Sequence, residues 1–190
     1  MAVRVAIMYG FAEGPRHGAR LAQAMEKRGF TTVDDATTAD IVIAHSGATH
    51  TLPASLTAKL VILAAPSCSA TGMSIIWTSV QKALKDVQLV MSAQSRKSPA
   101  HLAWNAWYLV RHPLHNRTLQ RETFRAKESL PNMKATNMAV IAYKGDPWRQ
   151  HTPVDTPYCY VSLPGSHDSL WYQCEDFANT VQLLYERLLA

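Results

Sequence analysis

The strongest constraint on what this chain can fold into is a series of short apolar runs separated by helical patterns. Residues 3–9 (VRVAIMY), 40–45 (DIVIAH), 59–65 (KLVILAA), 138–143 (MAVIAY) and 158–163 (YCYVSL) read as strands. The first has the continuous apolar pattern of a strand buried on both faces. Residues 30–33 add a short β-prone stretch. Between the first run and this stretch, Leu21, Ala22 and Met25 recur at helical spacing, and Gly29 follows Lys27 and Arg28 as a stop signal. The chain closes with Phe177, Val181, Leu184 and Leu188 on one face of an amphipathic helix. Strands that alternate with helices predict an α/β fold, here three-layer α/β/α with a mainly parallel sheet of five to six strands. One join is awkward. Only Asp34 to Ala39 separate the Phe30 segment from the Asp40 strand, whereas a parallel crossover usually takes a dozen residues or more. Either the connection is a tight loop or the Phe30 segment is a poor edge strand.

Composition narrows the class without naming a function. A 190-residue chain with 47% hydrophobic and 17% charged residues can bury a substantial core as one domain, and it is neither disordered nor fibrous. No stretch approaches the roughly 20 apolar residues of a membrane span. The N-terminal segment reads as a first strand rather than a secretion signal, so a cytoplasmic location is expected. Three cysteines without a C-x-x-C pair support neither a metal cluster nor a disulfide framework. The net charge of +5 is regional, because residues 96–134 hold eight Lys/Arg against Glu122 and Glu128. Helices are expected at 73–91, 98–111 and 116–130, so the charge falls on a helical insertion, residues 68–136, within a single domain of 1–190. Its aromatic residues, Trp77, Trp104, Trp107, Tyr108 and Phe124, are expected to pack it onto the core as a lid rather than to stack bases. No nucleic-acid partner is therefore expected.

Chemistry concentrates at strand ends, where an open α/β sheet builds its site. The run I-V-I-A-H-S-G-A at 41–48 takes a buried strand directly into Ser46, with the small Ala44 and Ala48 two residues either side. A nucleophile elbow needs small residues there. A strand end with a capping serine fits the same eight residues. Asp146 follows the 138–143 strand in Y-K-G-D-P-W, and His167 follows the last strand in P-G-S-H-D-S-L-W. A serine nucleophile needs an imidazole, and the imidazole needs a carboxylate. Ser46, Asp146 and His167 stand in that order, and Asp155 is the rival acid.

These three segments resemble the landmarks of the α/β-hydrolase family over residues 1–67 and 137–190. Alanine replaces the usual elbow glycines, and the helix between the second and third strands is missing, so the resemblance is to a minimal version of that fold. It implies a serine hydrolase of esterase or thioesterase type acting on a small acyl substrate, anionic or amphiphilic if the lid's cations contribute. By position it also implies oxyanion donors at the N–H groups of Phe11 and Gly47, with no cofactor and no metal. An acyltransferase on the same triad and a non-catalytic binding protein are the alternatives. His45 is expected to pack or bond locally, pointing away from Ser46. With His50 it makes a thin case for zinc. Gly10, Gly14 and Gly18 fit no phosphate-loop spacing.

Overall fold

Continuous apolar runs become the middle of a parallel sheet because only there are both faces covered. The computed structural model describes residues 2–10, 13–53, 56–66, 137–146 and 159–189, with isolated positions between 103 and 114. The strands are β1 (Val3–Met8), β2 (Phe30–Val33), β3 (Ile41–His45), β4 (Leu60–Ala64), β5 (Met138–Tyr143) and β6 (Cys159–Leu163). They form one six-stranded sheet in the order β2-β1-β3-β4-β5-β6, and every pairing is parallel. Every residue of β3, β4 and β5 is buried, whereas the residues of edge strand β6 are only partly so.

Side chains alternate between the two faces, as the period of two in a strand requires. On one face Val5, Ile41, Ile43, Ile62 and Ile141 meet α1 (Pro15–Glu26) and α2 (Cys174–Leu189). The helices contribute Leu21, Ala24 and Met25 from α1, with Phe177, Val181 and Leu184 from α2. On the other face Ala6, Val42, Val61, Leu63 and Val140 form a second cluster, with Leu52 and Leu56 packed against it. Helix α1 stops where the sequence predicts, as Gly29 takes a φ of +81° that only glycine adopts freely.

The awkward join resolves as a tight loop onto a genuine edge strand. Strand β2 pairs with Val3–Ala6 of β1, while β3 pairs with Val5–Met8 on the other side of it. The end of β2 is thus almost level with the start of β3. The link must cross β1 sideways, two strand spacings or roughly 10 Å, with little return along the strands. A single 3-10 turn, Ala36–Thr38, suffices. Asp35 caps it by accepting from the Thr37 N–H at 2.8 Å, and Asp40 accepts from the Arg4 N–H at 2.9 Å to close the far end.

The expected lid, 68–136, lies outside the described residues apart from helical positions at Ala103, Trp107, Val110, Arg111 and Leu114. Of its aromatic residues expected to pack on the core, Trp107 is described. It is 48% exposed, with the Arg16 guanidinium of α1 5.7 Å from its ring centre. No described helix is long and apolar enough to cross a membrane.

Candidate active site

The C-terminal ends of β3, β5 and β6 lie along the same edge of the parallel sheet, with β4 between β3 and β5, and each feeds one candidate side chain into the same space. Ser46 follows β3 directly and opens a 3-10 turn, Ser46–His50. Its φ is +52°. That conformation costs an L-residue roughly 1–2 kcal/mol and persists only where the surroundings impose it. Here the small neighbours Ala44 and Ala48 are both buried, and Thr49 Oγ1 donates to the Ser46 carbonyl at 2.7 Å. Gly10, at the end of β1, packs onto the same turn. A Cβ at Gly10 would lie 2.8 Å from Ser46 Cβ and 3.0 Å from the His45 carbonyl oxygen. Gly10→Ala should therefore destabilise the fold by about 1–3 kcal/mol through overpacking. Urea unfolding checks this, and an unchanged midpoint would refute the close approach.

The three residues picked from their strand-end positions meet. His167 Nε2 is 2.8 Å from Ser46 Oγ, and His167 Nδ1 is 2.8 Å from Asp146 Oδ2. Both His167 and Asp146 are buried. An ionised carboxylate only accepts, so Nδ1 carries the proton and Nε2 is left to accept the serine hydroxyl. The loops that deliver these residues are braced together. The Gly145 N–H donates to the Gly165 carbonyl at 2.8 Å, and Ser169 Oγ accepts from the Ser166 N–H at 2.7 Å. Gly165 holds a φ of +133°, and a Cβ there would run into the Ser169 side chain. Gly47 is buried directly after Ser46. Phe11 and the rival acid Asp155 lie outside the described residues.

A second polar constellation sits beneath the first, and sequence reasoning missed it. His45 is fully buried, but its partners are distant in the chain rather than local. Its Nδ1 is 2.7 Å from Glu13 Oε2, and its Nε2 is 3.0 Å from the backbone carbonyl of His167. Glu13 Oε2 also accepts the Gly10 N–H at 2.8 Å, and Glu13 Oε1 accepts the Trp171 indole N–H at 2.8 Å. Burial alone would push Glu13 up and His45 down. The facing opposite charge and the shared hydrogen bond outweigh it, so Glu13 is held below its ordinary value and His45 above. Asp168 adds to the field that favours the cationic imidazole. The only sequence hint was a carboxylate set among small and apolar residues just past β1.

His45, His167 and Asp168 place potential ligand atoms within 4.8 Å of one another. The four imidazole nitrogens are already engaged with Glu13, Asp146, Ser46 and the His167 carbonyl, which does not fit a metal centre.

No family model matches the sequence, and no curated protein matches it either. Solved structures do. The proposed non-heme bromoperoxidase BpoC of Mycobacterium tuberculosis H37Rv superposes with a TM-score of 0.61 at 12% identity, covering 100% of this chain and 94% of that one. The RedJ thioesterase of the prodiginine biosynthetic pathway in Streptomyces coelicolor gives 0.60 at 9% identity, covering 96% and 85%. The thioesterase domain of the curacin biosynthetic pathway gives 0.57 at 10%, covering 95% and 91%. At these identities the likeness defines architecture. The chain has the α/β-hydrolase fold, with a single 3-10 turn in place of a helix between β2 and β3.

Proposed function

We propose that this protein is a serine hydrolase that cleaves an ester or thioester through an acyl-enzyme. The observation that carries the reading is the unbroken chain Ser46 Oγ–His167 Nε2 and His167 Nδ1–Asp146 Oδ2, each contact 2.8 Å, built on a serine held at positive φ. In this reading Ser46 Oγ attacks the acyl carbon while His167 Nε2 takes the hydroxyl proton. Asp146 fixes the tautomer and stabilises the imidazolium. The developing oxyanion is bound by the N–H of Gly47 and, by position, that of Phe11. His167 then passes its proton to the leaving alkoxide or thiolate. A water that gives a proton to His167 attacks the acyl-enzyme, and the proton returns to Ser46 Oγ as the acid is released.

Thioesterases among the structural neighbours make a thioester a natural candidate substrate. The eight cations of residues 96–134, read as a lid over the site, favour an anionic or amphiphilic acyl substrate. Labelling tests the reading. A fluorophosphonate should modify Ser46 of the wild-type protein, mapped by mass spectrometry, and the adduct should disappear in His167→Ala. A folded wild-type protein that takes no label at Ser46 overturns the assignment.

A further inference from the structure

The Glu13–His45 pair takes no part in the acyl-transfer steps, yet it touches the machinery from two sides. Residues as far apart as 13 and 45 bind each other and then bind 167 and 171, so three separate segments (10–13, 45 and 167–171) converge on one buried joint. The His167 carbonyl can only accept, so His45 Nε2 carries a hydrogen. The carboxylate oxygens of Glu13 already receive the Gly10 and Trp171 N–H groups, which favours a second hydrogen on His45 Nδ1. Such a joint favours an imidazolium, held between a carboxylate and a carbonyl. Among the described residues, Asp168 adds to the field at His45, the His167 ring lies 5.0 Å away between centres, and the Trp171 ring crosses it at 76° with centres 5.1 Å apart.

His167 is thereby gripped at both ends, its ring by Asp146 and its peptide by His45. Glu13 in turn fixes Gly10, the residue before the proposed oxyanion donor Phe11. We propose that Glu13 and His45 are positioning residues: their joint sets the His167 base and Gly10 in register with Ser46. The proposal rests on the serine-hydrolase reading for its kinetic consequence, while its geometric content stands independently. Hydrogen-bond donors placed by a rigid joint matter because misplacement by about 1 Å can cost about a hundredfold in rate.

Two isosteric variants separate this role from simple packing. His45→Gln keeps a donor near the Nε2 position, within reach of the His167 carbonyl. His45→Asn keeps one only near Nδ1, facing Glu13. Turnover per site titrated with fluorophosphonate removes any difference in folded fraction. His45→Asn should lower kcat per site by about tenfold to a hundredfold with KM little changed, and His45→Gln should recover most of it. Equal kcat per site in wild type and His45→Asn, or a His45→Gln no better than His45→Asn, overturns the proposal. If His45→Asn does not fold, Glu13→Gln replaces it: a similar fall in kcat per site is expected, and full turnover is the overturning result. Should wild-type Ser46 take no label, the hydrolase reading falls, and nitrogen-15 NMR of the histidine rings still decides the joint. The Nδ1–H signal of His167 should then persist in His45→Gln and broaden by exchange in His45→Asn. An unchanged signal in His45→Asn refutes the positioning role.

Discussion

With any ester or thioester that the wild-type protein hydrolyses, Ser46→Ala should lower kcat/KM by on the order of 10⁴- to 10⁶-fold, the scale seen when a member of such a triad is removed. The residue that remains cannot form an acyl-enzyme, so only substrate binding and the backbone donors still act. A loss under about tenfold would mean that another nucleophile carries the reaction, and the geometry at Ser46 would need a different explanation. The same site makes a second, structural demand. Because Ser46 has a φ of +52°, Ser46→Gly should be more stable than Ser46→Ala by about 1 kcal/mol, as only glycine adopts that conformation without strain. Both variants lack the hydroxyl and its bond to His167, so their difference isolates the backbone. Thermal or urea unfolding of the pair measures it, and an alanine variant at least as stable as the glycine one would sink the strained-elbow description.

What could be read from the residues alone divides along a physical line. Strands β3, β4 and β5 were legible because a strand buried on both faces must be apolar at successive positions, as Ile41–His45 and Leu60–Ala64 are. Ser46 and Asp146 were legible because each lies just beyond such a strand, and His167 because it follows the last, partly buried edge strand; a parallel sheet brings those ends to one edge. The crossover from β2 to β3 was not, because its shortness depends on a stagger: β2 pairs with Val3–Ala6 and β3 with Val5–Met8. No local pattern encodes that offset. Nor could spacing reveal the Glu13–His45 joint. His45 stands in an apolar strand, where a histidine commonly packs quietly. Its partner becomes visible only when Glu13 comes back beside the end of β1, accepting the Gly10 N–H and reaching under β3. Gly10 itself looked like one of three loop glycines. Its requirement comes from the 2.8 Å separation that a Cβ would have from Ser46 Cβ.

Glu13→Ala should cost about 3–5 kcal/mol of folding stability near pH 5.5, because it strands a buried imidazole that had a charged partner. It also leaves the Gly10 and Trp171 N–H groups without their acceptor. The pH dependence identifies the cause. Glu13 is held below its ordinary value of 4.5, so its contribution is present above that pH and is lost as pH falls through the folded-state value. His45 is held above its ordinary value of 6.5, so its contribution is fully present below that pH and is lost as pH rises through the folded-state value. Both contributions are therefore in place between pH 4.5 and 6.5. In the variant, burial without the carboxylate turns the sign for His45. The folded state then holds it neutral, and protonation of the unfolded chain costs stability as pH falls below 6.5. The gap between wild type and Glu13→Ala should thus widen as pH is lowered from about 8 to about 5.5. Urea midpoints at three pH values across that range measure it. A gap that stays constant, or that widens toward alkaline pH, would mean that the folded pair holds no extra proton and that Glu13 faces a neutral imidazole. The joint would then brace the site by hydrogen bonding alone.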